Sequence, residues 1–271
     1  MQGLSDFIPT RKKADYINQL LKVGFDTIDF GSFVSPKAIP QLKDTAEVLS
    51  LLDLSETQTK LLAIVANYRG AIAACLHPQI HYIGYPFSIS ETFQLRNTNA
   101  SIGESFAIIE DIQELCILNK KELVVYISMA FGNPYGDEWS AEIVHHWIKM
   151  LSGLDIKIFA MSDTIGVSTP DNIEYIFKML IPKFKNIEIG AHFHSRPANW
   201  SEKLEAAAQS GCTRFDGAIR GYGGCPMAKD DLIGNMATEQ MIGYLDYYKY
   251  PLNIDHEAFK IAMEMAAKIF P

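Results

Sequence analysis

The stretch "DIKIFAMSDTIGVSTPDNIEYIFKMLIPKFKNIEIGAHFH", residues 155–194, decides the fold. It opens on a short β-branched and apolar run, "DIKIFAMS" (155–162), and closes on another, "NIEIGAHFH" (186–194). Between them "TPDNIEYIFKMLIPKF" (169–184) carries apolar residues at helical spacing, with Thr169-Pro170 as a helix-start signal. Strand, helix, strand is a βαβ unit, and such a crossover makes its two strands parallel.

The alternation continues in both directions. Further strand candidates are "FDTIDF" (25–30), "KLLAIVAN" (60–67), "IHYIGYPF" (80–87), "ELVVYISM" (122–129) and "TRFDGAI" (213–219). Helical patterns are "RKKADYINQLLKVG" (11–24), "SIGESFAIIEDIQELCILNKK" (101–121), "SAEIVHHWIKMLSG" (140–153) and "SEKLEAAAQSG" (201–211). Ser140 marks a helix start, and Gly153 and Gly211 mark ends. The region after "KLLAIVAN" is less regular. No Gly/Ser/Pro-rich linker, low-complexity tract or short repeat divides the chain, which reads as one α/β domain over residues 1–271. Seven strands suit an open doubly wound sheet as well as a (β/α)₈ TIM barrel one strand short. A GxGxxG after the first strand would favour the open sheet, and none occurs there. A TIM barrel is therefore expected, with one strand unaccounted for.

Composition narrows the class. At 271 residues the length fits one barrel, which commonly takes about 250 residues. With 48% hydrophobic and 21% charged residues, a large core is expected. The net charge of −8 argues against nucleic acid as a partner. No apolar run approaches the roughly 20 residues of a membrane helix, and "MQGLSDFIPTRKK" lacks a signal-peptide core. The four cysteines, Cys75, Cys116, Cys212 and Cys225, include no CxxC pair, which suits reduced thiols in a cytoplasm.

In a barrel the C-terminal ends of the strands form the catalytic rim. Asp29 ends "FDTIDF", Ser128 lies near the end of "ELVVYISM", Asp163 follows "DIKIFAMS", and His192 and His194 end "NIEIGAHFH". Strand side chains alternate, so His192 and His194 share a face with Phe193 opposite. That pair is either two ligands of one ion or two satisfied polar residues at a strand end. Asp163 and Thr164 either meet a substrate or fix a turn.

"GYGGCPMAKDDLIGNMATE" (221–239) is the second constellation. Gly221, Gly223 and Gly224 allow the backbone to turn and to approach a ligand closely. Cys225 is then either a presented nucleophile or proton donor, or an inert thiol in a glycine-rich loop. Asn235 is either a helix cap or a neutral oxygen ligand for a divalent cation. His145 and His146 lie about 100° apart on a helix and are poor joint ligands. His77 and His81 have no clear partner. The proline-containing loop "GSFVSPKAIPQLKDTAEVL" (31–49) has the length of an active-site loop, though turn chemistry alone accounts for it.

Together "SFVSPKAIPQ", "SDTIGVSTP", "AHFH", "GYGGCPMA" and "GNMATE" resemble, in order and spacing, the 3-hydroxy-3-methylglutaryl-CoA lyase family of metal-dependent TIM barrels. The resemblance spans essentially the whole chain. It implies a divalent cation, Mg²⁺ or Mn²⁺, held by His192, His194, Asn235 and an upstream Asp. It implies an acyl-CoA substrate cleaved to acetyl-CoA and acetoacetate. Cys225 would protonate the acetyl-CoA enolate, Asp29 and Asp163 would position ligands, water or a proton-transfer group, and His192 would assist proton transfer. Ser128, Thr164, Gly223 and Gly224 would contact the substrate, and a homo-oligomer would be compatible. The family's first strand ends in Arg-Asp followed by a glutamine motif. "MQGLSDFIPT" resembles the continuation of that motif, with Gln2 at the glutamine, so the resemblance implies that the barrel's first strand is missing from this chain, its Arg and Asp expected just before Met1. Asp29 stands where the family has a longer Glu, "SRPANW" (195–200) replaces an acidic run, and Arg220 adds a charge beside the glycine loop. A related acyl-CoA condensing enzyme and a non-catalytic barrel lacking Arg-Asp are the alternatives.

Overall fold

Among the described residues seven parallel strands form one sheet in the order β1-β2-β3-β4-β5-β6-β7, each beside its sequence neighbour. They are β1 (Thr27–Ser32), β2 (Lys60–Ile64), β3 (Ile80–Ser88), β4 (Glu122–Ser128), β5 (Ile158–Asp163), β6 (Glu188–Phe193) and β7 (Phe215–Asp216). The computed structural model describes residues 4, 6–224 and 233–270. All seven expected strands are present among these, so βαβ periodicity alone located them. β1 runs two residues beyond the expected end, which puts Asp29 inside the strand instead of at its tip. β7 keeps only two of the expected residues.

Among the described residues ten α-helices accompany the strands: α1 (Thr10–Leu21), α2 (Thr45–Ser50), α3 (Tyr68–Cys75), α4 (Glu91–Thr98), α5 (Ile102–Leu118), α6 (Ala141–Ser152), α7 (Pro170–Leu180), α8 (Trp200–Gln209), α9 (Thr238–Tyr247) and α10 (His256–Ile269). Ser140 caps α6 by accepting from the Ile143 N–H, and Thr169 caps α7 with Asn172 in a reciprocal box. These caps satisfy amides that the first helical turn leaves without partners. Short α3 and α4 fill the region that lacked a clear periodicity.

Two apolar clusters form on opposite faces of the sheet. The larger lies under the helices and includes Phe87, Phe131, Phe159, Phe177 and Phe193. The smaller lines the concave face: Leu62, Tyr82, Val124 and Ile158, with Ile64 and Tyr126 packed against them. Burying each such side chain contributes about 1.5–3 kcal/mol. This division assigns the parity of every strand. In β5, Ile158, Ala160 and Ser162 face the concave side, so Asp163 faces the helices with its register partner Phe193.

The parallel register levels the strand ends. Ser88 pairs with Ser128, Ser162 with His192, and His192 with Asp216. Ile127 pairs with Met161, which puts Ser128 level with Ser162. A row of polar residues therefore crosses the concave face at the C-terminal edge: Ser88, Ser128, Ser162, His192 and Asp216. β1 and β7 are the two edges of this sheet.

Candidate active site at the C-terminal edge of the sheet

His192 and His194 project from one face of the β6 edge, their ring centroids 5.7 Å apart. Both rings share a face, and the surroundings set which nitrogen each ring offers. His194 is buried, and its Nδ1–H donates to the Ile233 carbonyl at 2.9 Å. A carbonyl only accepts, so the proton sits on Nδ1 and Nε2 keeps its lone pair. Burial, then the neighbouring His192, pushes the His194 imidazole down to about 4, which keeps it neutral. His192 directs Nδ1 at Asp216 Oδ2, 3.3 Å away. Burial opposes the Asp216 charge, but the His192 hydrogen bond and Arg214 more than offset it and hold the carboxyl below its usual range. An ionised Asp216 takes the His192 Nδ1–H and leaves Nε2 as the donor atom. A carboxylate or carbonyl behind each ring is the arrangement that orients histidines toward a metal.

Asn235 stands beside His194 in an isolated antiparallel bridge. Its expected alternative role as a helix cap is not what the fold uses, because the α9 N-cap is Ala237. The segment is pinned by Ser195 N–H to Gly234 O at 3.1 Å and Met236 N–H to Phe193 O at 3.0 Å. The Asn235 amide Nδ2 donates to Tyr222 O at 2.9 Å, which leaves Oδ1 for another partner.

The glycines serve this asparagine. Gly221, Gly223 and Gly224 have φ of +66°, +103° and +141°. A Cβ on Gly223 would lie 2.7 Å from Asn235 Nδ2, and one on Gly221 2.9 Å from Asn235 O. The close approach expected to a ligand is, at these two positions, an approach to Asn235. Cys225 lies outside the described residues.

Asp29 faces the concave side, level with Leu62. The surrounding protein pushes its carboxyl up from the ordinary value, while His192 pulls it down; the residue itself is exposed to water. Ser128 lies in the polar row, two strands from His192.

Asp163 and Thr164 are placed differently. Asp163 faces the helical layer and accepts from Val167 N–H at 2.8 Å, Ser168 N–H at 3.0 Å and Lys203 Nζ at 2.7 Å. Thr164 Oγ1 accepts from the Met129 N–H at 3.1 Å. Both are buried, and this is the turn-fixing arrangement, to which strand parity turns Asp163. His145 and His146 pack against Phe184 and Trp147. A surface hollow lined by Asp171, Glu174, Tyr175, Lys178 and Met179 sits on α7, among outer-layer residues.

Sequence reading missed Asp216, Ser162, Tyr126 and Lys203. Asp216 carried a usable signal, since it ends β7 with the same parity that singled out His192. Among the described residues no group of three His, Cys, Asp or Glu side chains could hold a metal ion. Two imidazoles and one amide oxygen are the donors brought together.

The HMGL-like family profile matches residues 1–265. The chain belongs to the HMGL-like family. A hydroxymethylglutaryl-CoA lyase of Bacillus subtilis is 32% identical over 257 residues, 95% of this chain and 85% of that protein. A 3-hydroxy-3-methylglutaryl-CoA lyase of Rattus norvegicus, described as cytoplasmic, is 30% identical over 91% of this chain and 71% of its own length. The solved HMG-CoA lyase of Acinetobacter baumannii, in complex with coenzyme A and 3-methylmalate, superposes with a TM-score of 0.91. It is 29% identical and covers 99% of this chain and 87% of that one. This member of the HMGL-like family is accordingly an HMG-CoA lyase-like enzyme with their α/β fold.

Proposed function

We propose that the protein cleaves 3-hydroxy-3-methylglutaryl-CoA, or a close 3-hydroxyacyl-CoA, to acetyl-CoA and acetoacetate with a divalent cation. The observation that supports this reading is the pair of His192 and His194 rings 5.7 Å apart with Asn235 bridged beside His194, each with its other polar atom committed to the protein. His192 and His194 offer Nε2 and Asn235 offers Oδ1. Two neutral nitrogens and one oxygen suit a partly hydrated Mg²⁺ or Mn²⁺ that completes its shell with further oxygen donors. Bound there, the cation supplies Lewis-acid polarisation of the substrate's tertiary hydroxyl.

The remaining chemistry belongs to the chain. Asp29, lifted toward neutrality, accepts the hydroxyl proton. The hydroxyl's electron pair then forms the ketone of acetoacetate as the C–C bond breaks, and that bond's electrons become the enolate of acetyl-CoA. Cys225 returns one proton to the enolate carbon, so one proton is taken and one is given. Ser128 and its neighbours Ser88 and Ser162 supply a polar wall to the acyl group. Asp163 and Thr164 act at a distance, by holding the loops after β4 and β5.

We read residues 1–271 as a single domain, consistent with one main core under the helices. A strand filling the gap between β1 and β7 would close this sheet into an eight-stranded barrel. No helix among the described residues is long and apolar enough to cross a membrane, and a cytoplasmic location is compatible with the relatives.

Acetoacetate release from 3-hydroxy-3-methylglutaryl-CoA tests the reading. Turnover should appear with Mn²⁺ or Mg²⁺, vanish with a chelator, and be lost in His194→Ala. Cleavage undiminished by chelation would refute the metal role, and no cleavage at any metal concentration would refute the substrate.

A further inference from the structure

The concave layer below the polar row holds an arrangement that the proposed chemistry does not use. Its residues, from β4 to β7, are Tyr126, Ala160, Gly190 and Arg214. Register levels them: Tyr126 pairs with Ala160, Ala160 with Gly190, and Ala191 with Phe215, which puts Gly190 level with Arg214. Large residues stand at both ends and the two smallest lie between. The Arg214 side chain occupies the space that Gly190 leaves. A Cβ on Gly190 would lie 2.8 Å from Arg214 Cδ, 2.9 Å from Cγ and 3.2 Å from Cβ. Gly190 has no positive φ to require glycine, so its missing side chain is explained by the arginine passing over it.

Laid flat, the guanidinium reaches three partners. Its Nη1 donates to Glu188 Oε1 at 2.8 Å, and Nε lies 3.5 Å from Asp216 Oδ1. The Tyr126 phenol interacts with the same arginine. Asp216 passes its other oxygen, Oδ2, to His192 Nδ1 at 3.3 Å. Tyr126 closes the circuit with its ring edge-on to His192, centroids 5.4 Å apart. Two of the contacts on the His192 ring, one polar and one aromatic, therefore trace back to Arg214. The arginine side chain is 13% exposed, whereas His192 is 29% exposed and has room to turn.

We propose that Arg214 is a positioning residue for His192. Its planar fork fixes Asp216 and Tyr126 around the imidazole, so that the Nδ1–H stays on Asp216 and Nε2 faces the C-terminal mouth. A fork with several fixed donors can brace two carboxylates and a phenol at once, which a lysine ammonium on a flexible stem does poorly. The inference deepens the lyase reading and rests on it only for what His192 then ligates. Arg214 lies one layer below His192 and acts on it through Asp216 and Tyr126.

The test begins on the metal-free protein. Long-range ¹H–¹⁵N spectra, with the His192 signals assigned through His192→Asn, report which ring nitrogen carries the proton. The wild type is expected to show the Nδ1–H tautomer. Arg214→Met should shift it toward Nε2–H or an average, and should weaken Mn²⁺ binding by about 10–100-fold, the usual effect of losing a group behind a ligand. Gly190→Ala keeps the charge but displaces its arm, and should reproduce both effects. Arg214→Lys should fall between wild type and Met. If Arg214→Met does not fold, Gly190→Ala and Arg214→Lys carry the comparison. Folded variants with an unchanged tautomer and Mn²⁺ affinity within twofold of wild type would overturn the proposal. A tautomer that depends on Arg214 in a protein that neither binds Mn²⁺ nor breaks the C–C bond of the acyl-CoA would leave the positioning role standing and remove the lyase reading.

Discussion

Lys203 Nζ stands 2.7 Å from Asp163 Oδ2, with both side chains closed to water. The same ammonium donates to Gly166 O at 3.0 Å and His194 O at 3.2 Å. One cation from α8 therefore ties down the turn after β5 and the backbone of a histidine in the site.

Removing one partner of a buried pair leaves the other charge uncompensated and costs about 3–5 kcal/mol. Lys203→Met is expected to lose that much stability in urea unfolding at pH 7. Lys203→Met/Asp163→Asn together should lose less than the sum of the two single variants. Additive losses would mean that the two groups do not depend on each other.

His194 makes stability depend on pH in metal-free protein. Its folded value is about 4 against an ordinary 6.5, so the unfolded chain binds the extra proton between those limits. The stability contribution is complete above pH 6.5 and is lost as pH falls toward 4, by on the order of 3 kcal/mol. Asp29 works in the opposite sense: raised toward 7, it favours the folded state as pH falls through the same window. Wild type therefore hides part of the slope, and the comparison with His194→Gln isolates it. The variant should lose less stability than wild type between pH 7 and pH 4.5. Parallel curves would show that His194 titrates normally.

The strands were legible because β-branched runs and helical runs alternate without interruption, and Ser140 and Thr169 carry caps that are local in sequence. Likewise, the His192–His194 convergence follows from a period of two. Asp163 was harder, because its role depends on which face of β5 is concave, and "DIKIFAMS" is apolar on both faces. Lys203 looks like a surface residue of an amphipathic helix until Asp163 is known to point outward. Arg214 and Gly190 gain meaning only from the β6–β7 register, which no local pattern encodes. Gly221 and Gly223 sit where the backbone comes close to another group, but that group, Asn235, is set by a bridge formed through the fold.

Cys225→Ser replaces the proposed proton donor by a far weaker acid while keeping the volume nearly constant. Turnover should fall by about 10²–10⁴-fold, the usual worth of a general acid. Mn²⁺ affinity should not change, because the proposed ligand atoms belong to His192, His194 and Asn235. A solvent-derived proton entering the acetyl product at an undiminished rate would move the role to another group.

Gly223→Ala separates a glycine needed by Asn235 from one needed by substrate. The backbone there has φ of +103°, a conformation that costs a residue with Cβ about 1–3 kcal/mol. The new methyl would also meet Asn235 Nδ2 at 2.7 Å, displacing the amide from its 2.9 Å bond to Tyr222 O. With that bond gone Oδ1 loses its fixed direction, and metal affinity should fall by about tenfold or more even without substrate. Gly243→Ala is the matched control: it lies in α9 with nothing within 4 Å of the added Cβ. In a helix interior that change should stabilise by roughly 0.5–1 kcal/mol and leave metal affinity alone. Isothermal titration with Mn²⁺ and thermal melts read both effects. A Gly223→Ala protein that binds Mn²⁺ normally but has a raised substrate KM would show that the glycine serves the acyl-CoA directly.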